Sequence, residues 1–222
     1  MLRASLITLS AIAAAIFAVG AHAQGFRFSN EDPADQAARA KEAERQAKVQ
    51  SQLTTPCLDK IKNQKIMVLI GEDRNGVIAA SQAAYSAHFD AINKRLRALG
   101  LRTYTQEEIR KQIAQAEIDA HFKNNPDAAI SASKRLAAQY ILRGLIATRI
   151  TRNPVVNVNQ VAINLDFTLT GANGKIISEA TARNESYAGN DPLGMALTLI
   201  NERADEVVAQ LYSDYCRNAG AK

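Results

Sequence analysis

The chain has 222 residues, of which 47% are hydrophobic and 22% are charged, with no tryptophan. This composition excludes a disordered chain, and the length suffices for one globular domain but not for two of full size. The net charge of +5 is compatible with contact to anionic lipid, peptidoglycan carboxylates or an acidic protein, whereas nucleic-acid binding requires a denser stripe of Lys and Arg with interleaved aromatic residues.

The first 23 residues have the three parts of an export signal. Arg3 supplies the positive start, an apolar run covers residues 6–19, and Ala21-His22-Ala23 is a small-x-small cleavage site. This run is short for a transmembrane helix, and no later run reaches the roughly 18 apolar residues that spanning requires. Gln24 rather than a cysteine follows the predicted cut. We therefore expect a periplasmic protein that is cleaved after Ala23 and not lipidated.

Residues 24–55 differ in character from the rest of the chain. Asp32-Pro33 is typical of a helix cap with a first-turn proline, and alanines then alternate with charged residues. A helix that is polar on all sides is either exposed to solvent or folded against a partner. We predict a mobile or helical arm over residues 24–55, a plain tether in the simplest interpretation, and a compact domain over residues 56–222.

The first half of this domain shows one strand followed by helices. Lys65 to Gly71 is a continuous apolar run, typical of a strand that is buried on both faces. A helix with apolar residues at spacings of three and four then ends at Gly100, and a short strand follows over residues 101–104. Thr105 starts a capping box for a helix that runs to about Phe122. Asp127 is expected to cap the next helix, whose apolar side is formed by Ile130, Leu136 and Ala137.

The second half has the strongest strand signal. Residues 140–151 form one predicted strand, and residues 161–169 alternate strictly between apolar and polar side chains. An Asn-Gly turn at residues 171–174 leads to a return strand that ends near Ser186, and Asp191-Pro192 begins a long amphipathic helix. The fold class is therefore α/β (α+β): a mixed, largely antiparallel sheet packed by amphipathic helices in a single domain.

Cys57 and Cys216 lie just before the first predicted strand and just after the last predicted helix. In an oxidising compartment a disulfide is the expected state of such a pair, and it would join the two ends of the domain. Two buried thiols are the alternative. The spacing is unlike the Cys-x-x-Cys of redox enzymes.

Familiar catalytic motifs are missing from the sequence. His88 and His121 lie on separate predicted helices, without the paired histidines of a zinc protease, and no Gly-x-Ser-x-Gly occurs. Glu72 and Asp73 follow the first strand and are either turn formers or the carboxylates of a hydrolase. We predict no catalytic residue, no metal site and no cofactor.

A polar sheet face is the remaining candidate site. Arg143 and Arg149 on one strand, and Asn164, Asp166 and Thr168 on the next, share a surface if the two strands pair as a meander. Arginine together with hydrogen-bonding groups is typical of a protein interface, although an ordinary solvated face has the same composition. We predict that these five residues bind a protein partner.

Four segments give the chain a family resemblance: KIMVLIG, RLRALGL, AAQYILRGLIATRI and VAINLDFTLTGANGKIISEA. Over residues 65–212 the chain resembles the periplasmic α/β family that includes the penicillin-binding-protein activator LpoB, the curli-secretion protein CsgG and the amino-terminal domain of TolB. The resemblance implies an α/β sandwich that binds other envelope proteins and carries no catalytic site. The chain departs from this family in lacking the lipid-accepting cysteine, membrane-spanning hairpins and a β-propeller.

We therefore predict an exported, non-enzymatic adaptor that docks on a larger envelope assembly. The alternative is a structural subunit of a homo-oligomeric, secretion-associated ring. An enzyme that uses carboxylates near Glu72 is a third hypothesis.

Overall fold

A computed structural model describes residues 32–74, 76–82, 86–123, 125–155 and 157–218. The predicted signal, its cleavage site after Ala23 and residues 24–31 of the predicted arm lie outside the described residues. Within the described part of the chain, no helix is both long and apolar enough to cross a membrane.

The described elements follow one another in an order that places helices between the first strand and a three-stranded meander. They are α1 (Pro33–Leu53), α2 (Leu58–Ile61), β1 (Lys65–Arg74), β2 (Val77–Ala79), α3 (Ser86–Ala98), β3 (Arg102–Thr103), α4 (Gln106–Gln112), α5 (Gln115–Phe122), α6 (Pro126–Leu136), β4 (Tyr140–Arg152), β5 (Asn159–Gly171), β6 (Ile176–Ala188) and α7 (Pro192–Asn218).

All these strands belong to one sheet, in the order β2-β1-β4-β5-β6, with β3 beside the start of β1. The strand β1 runs parallel to β3 and β4. The other pairs, β1 with β2, β4 with β5, and β5 with β6, are antiparallel. The predicted mixed, largely antiparallel sheet is confirmed.

One face of the sheet is covered by α3 and α7, and α1 packs against α7. The apolar set of β5, from Val161 to Leu169, points towards these helices and is buried. On α7 the facing side chains recur at helical spacing and are also buried: Ala196, Ile200, Ala204, Val207 and Leu211. Burial of each large apolar side chain stabilises the fold by about 1.5–3 kcal/mol, so this layer is the main core.

The strand β1 is buried on both faces, as predicted, since residues 66–70 are almost wholly inaccessible to solvent. On the face opposite α7, the ring of Phe122 in α5 lies against Gly71, where an added Cβ would come within 2.7 Å of Cε1 of that ring. The helices α5 and α6 thus cover β1 and the start of β4 on this second face.

The single helix predicted over residues 105–122 is wrong, because the chain breaks at Ile113. The predicted capping box of Thr105 and Glu108 begins α4. Ile113 then adopts an extended conformation and is 2% exposed, so its burial in the core ends the helix. The N–H of Ala114 donates to Oε2 of Glu117 (3.2 Å), which starts α5.

Two local predictions about α6 also need correction. Asn125, not Asp127, caps this helix, because Asn125 Oδ1 accepts from the N–H of Asp127 (3.0 Å) and Pro126 occupies the first turn. Ala137, predicted on the apolar side, instead ends the helix in a left-handed conformation with φ of 51°. Glu72 and Asp73, which were predicted to follow the first strand, instead belong to β1 and pair with β2.

Helix α1 includes most of the segment predicted as an arm. Asp32 caps it, with Oδ1 accepting from the N–H of Ala34 (2.9 Å). Its last turns contact α7: Val49 is buried, and Gln52 Nε2 donates to Gln210 Oε1. The division into an arm over residues 24–55 and a domain over residues 56–222 stays a prediction.

Cys57 and Cys216 lie in disulfide geometry, with Cα atoms 5.7 Å apart. This distance is within the usual range for a disulfide. The pair joins the chain before α2 to the last turn of α7, which are the two ends of the domain as predicted.

Candidate protein-binding face

The sheet face opposite α7 carries polar side chains on β5, β6 and β4 from Arg143 onwards. We call this surface the open sheet face. Its side chains come from three neighbouring strands, and Arg143 lies at the border with the region that α5 and α6 cover. They are Arg143 and Arg149 on β4, Asn164, Asp166 and Thr168 on β5, and Glu179, Thr181, Arg183 and Glu185 on β6.

The meander places four of the five predicted residues close together. Arg143 stands directly opposite Thr168, and its Nη2 donates to Thr168 Oγ1 over 3.4 Å. Asp166 is opposite Leu145, and Asn164 is opposite Ala147. Since polar residues at alternate positions of β5 share a face, these side chains form one continuous polar surface.

Arg149 lies on the same face but farther along β4. It stands opposite Ala162 and is exposed, so it is a diagonal neighbour of Asn164, and such neighbours are typically about 7–8 Å apart. Arg149 therefore extends the open sheet face towards the β4–β5 turn without touching its centre.

Hydrogen bonds connect the centre of this surface across two strands. Arg183 Nε donates to Asn164 Oδ1 over 2.9 Å. Asn164 Nδ2 in turn donates to Asp166 Oδ2. The amide of Asn164 thus holds an arginine on one side and a carboxylate on the other, which fixes the orientation of both charges before any partner arrives.

The residues of β6 were missed as site residues by the sequence-based prediction. Glu179 is opposite Thr168, Thr181 is opposite Asp166, and Arg183 is opposite Asn164. Asp166 and Glu179 are therefore diagonal rather than direct neighbours. The alternation of exposed and buried residues along β6 is the signal that could have identified its polar face.

His121 forms the boundary between the open sheet face and its helical cover. It is 8% exposed, and its Nε2 atom has no hydrogen-bond partner in the described part of the chain. Burial, with a smaller contribution from the positive charge of Arg143, lowers the pKa of His121 to about 4. His121 is therefore neutral at pH 7 and adds no charge beside Arg143.

Glu72 and Asp73 do not form a paired carboxylate site. As neighbours in β1 they project from opposite faces of the sheet. Asp73 Oδ1 accepts from the N–H of Gly76 (2.7 Å), as a turn former does. Burial lowers the pKa of the half-buried His88, and the negative charge of Glu72 offsets part of this effect. Among the described residues, no three His, Cys, Asp or Glu side chains gather closely enough to hold a metal ion.

No family model matches the chain, and no curated protein sequence matches it either. Solved structures are similar to it at low identity. The lipoprotein GNA1162 from Neisseria meningitidis is 11% identical, with a TM-score of 0.45, over 62% of this chain and 92% of that one. The PelC dodecamer from Paraburkholderia phytofirmans is 18% identical, with a TM-score of 0.38, over 66% of this chain and 88% of that one.

LpoB is also among the similar structures. The C-terminal domain of LpoB from Escherichia coli is 15% identical, with a TM-score of 0.34, over 59% of this chain and 93% of that domain. LpoB was named in the resemblance predicted from the sequence, and the resemblance to CsgG and TolB stays a prediction. Similarities this low assign the chain to no family.

Proposed function

We propose that this protein is an exported, non-enzymatic adaptor of the bacterial cell envelope, and that the open sheet face binds its protein partner. The export signal over residues 1–23 supports the location in the periplasm. The single observation that carries the binding role is a three-stranded polar surface that no described part of the chain covers, beside a sheet that is otherwise packed by helices.

The chemistry of this surface suits a specific protein contact. Arg143, Arg149 and Arg183 alternate in space with Asp166, Glu179 and Glu185, so the formal charges balance. A surface of mixed sign rejects partners whose charges do not match, because like charges brought together cost several kcal/mol. Arginine is also enriched in protein interfaces.

Rigidity favours the same role. Helix α7 packs against the other face of β5 and β6, and Tyr140 of β4 is hydrogen-bonded to Tyr215 of α7. On the open sheet face, Asn164 holds Arg183 and Asp166 in place. Binding to side chains that are already ordered loses less conformational entropy than binding to mobile ones.

The proposal is tested by capture from solubilised envelopes. Tagged protein is compared with a variant that exchanges two exposed charges of the face, Glu179→Arg with Arg183→Glu. The matched control exchanges two exposed charges of α1, Lys41→Glu with Glu44→Arg, on the other side of the sheet. We expect the same captured protein with the wild type and the control, and its loss with the face variant. Equal capture by all three proteins would contradict the proposal.

A further inference from the structure

The β4–β5 hairpin extends beyond the end of β1, with β6 paired beside it as far as Asn159. The last residue of β4 that pairs with β1 is Ala147, and β4 continues to Arg152. At about 3.3 Å per residue, these five residues carry the hairpin roughly 16 Å past the end of that pairing. We call residues 149–155 and 157–160 the hairpin tip.

Exposed apolar side chains gather at the hairpin tip. Val155 is 88% exposed, and Ile150, Val158 and the adjoining Tyr187 of β6 are also exposed. Ile150 lies in the row of Val161, on the helix-covered face, whereas Tyr187 is opposite Gln160, on the open sheet face. The apolar groups thus surround the tip on both faces. A flat protein interface contacts one face, while a lipid layer contacts all sides of a group inserted into it.

The charges near the tip are cationic. From Arg149 to Leu165 the charged residues are Arg149 and Arg152, and no carboxylate occurs in this stretch. Each Arg near an anionic membrane surface contributes about 1 kcal/mol of attraction. Glu185, on β6, lies behind the tip, where Gln160 Nε2 donates to it over 3.5 Å.

The backbone of the tip is largely satisfied from within. The N–H of Asn153 donates to the carbonyl of Val158 (2.9 Å), and the N–H of Asn157 donates to the carbonyl of Asn153 (2.9 Å). Asn153 Oδ1 accepts from the N–H of Val155 (2.9 Å). Because an unsatisfied backbone group costs several kcal/mol in an apolar medium, these bonds reduce the cost of leaving water.

We infer that the hairpin tip inserts shallowly into the surface of a bilayer that carries anionic lipid. Val155 and Val158 enter the boundary between headgroups and acyl chains, Tyr187 lies at the interface, and Arg152 binds lipid phosphate. Aromatic rings with a polar end are favoured at this depth. The open sheet face then remains available to a protein at the membrane surface.

The absence of tryptophan from the sequence makes a direct test possible. Val155→Trp introduces a single tryptophan at the tip, and Ile176→Trp introduces one at a 55% exposed position at the other end of β6. The exported chain, purified from the periplasm, is mixed with vesicles of phosphatidylethanolamine and phosphatidylglycerol. We expect blue-shifted emission and quenching by brominated acyl chains for Val155→Trp, and neither change for Ile176→Trp.

Sedimentation with the same vesicles measures binding without a tryptophan. We expect Val155→Asp to lower the bound fraction at least fivefold, Ile176→Asp to leave it unchanged, and vesicles of phosphatidylcholine alone to bind little of any variant. Failure of the wild-type chain to sediment, or equal binding by Val155→Asp, would overturn the inference. Loss of a captured protein with Val155→Asp, in the absence of lipid binding, would also overturn it and would assign the tip to a protein.

Discussion

Gly144 and Phe167 are paired across β4 and β5, and the ring of Phe167 occupies the space where a side chain on residue 144 would lie. An added Cβ would overlap that ring and would also come within 2.9 Å of Ile70 Cδ1. Phe167 is fully buried between the sheet and its helices. The absence of a side chain at residue 144 therefore allows the largest residue of β5 to fill the core.

This relationship predicts the effect of a single added methyl group. Gly144→Ala should destabilise the protein by about 1–3 kcal/mol through overpacking, and Gly144→Ala with Phe167→Leu should recover part of that loss. Gly189→Ala is the matched control, because nothing lies within 4 Å of its Cβ position. Urea unfolding measures all three variants. A cost for Gly144→Ala no larger than that of Gly189→Ala would contradict the packing described here.

The cysteine pair predicts a second stability effect. A bridge between Cys57 and Cys216 spans a sequence separation of 159 residues. Loss of such a crosslink costs roughly 3–5 kcal/mol in the chain-entropy model. We expect Cys57→Ser with Cys216→Ser to lower the free energy of unfolding by this amount. Adding a reductant should lower it for the wild type and leave the double variant unchanged. Insensitivity of the wild type to reductant would show that the bridge is not formed.

His121 predicts how stability depends on pH. Its pKa is about 4 in the folded protein, against an ordinary value of 6.5. The unfolded chain therefore binds the proton more readily than the folded one, so stability is complete above pH 6.5 and falls as the pH drops towards 4, by at most about 3 kcal/mol. Glu42, whose pKa is lowered from 4.5 to about 2 chiefly by its hydrogen bond with Arg45, loses its contribution mainly below pH 4.5.

Urea unfolding of His121→Leu between pH 7 and pH 4 checks this account. The free energy of unfolding should fall much less between pH 7 and pH 4 in this variant than in the wild type. His88→Leu is the comparison, because burial also lowers the pKa of His88 and this residue supplies a share of the same slope. An unchanged slope in His121→Leu would show that the pKa of His121 in the folded protein is close to its ordinary value.

Charge exchange at the centre of the open sheet face predicts a loss of binding without a loss of fold. Arg143→Glu with Asp166→Arg keeps the net charge of the protein but reverses the sign of the charge at both positions. Each new charge would then repel the partner group that the original charge attracts. We expect affinity for the captured partner to fall at least tenfold, equivalent to 1.4 kcal/mol, with cooperative thermal unfolding retained. Calorimetry measures the affinity. Wild-type affinity in a folded variant would remove these residues from the interface.

Patterns of alternation and capping made most of the fold predictable from the sequence. The strict alternation over residues 161–169 and the capping box at Thr105 both depend on neighbouring residues, and both are present in the structure. The break at Ile113 was not predictable, because it depends on the burial of one side chain in the core. Which residue of β5 lies opposite each residue of β6 likewise depends on a register that the turn alone does not specify.

The candidate site could be predicted only in part for the same reason. Arg143 and Thr168 become neighbours once β4 and β5 are taken as a meander, and the sequence identifies both strands. Arg183 joins them only through the register of β6, where a shift of two residues changes which charges meet. The apolar hairpin tip was not predicted, because the exposure of Val155 depends on how far β4 extends past the end of β1.

A site-specific crosslink in intact cells tests the central claim most directly. A photo-reactive residue is placed at Thr181, an exposed position of β6 directly opposite Asp166, and at the exposed Glu44 of α1 as the control. The account predicts one envelope protein, identified by mass spectrometry, that is captured from residue 181 and not from residue 44. A crosslink only to another copy of this chain would support the ring subunit instead. No crosslink from residue 181 in a folded, exported protein would contradict the role of the open sheet face.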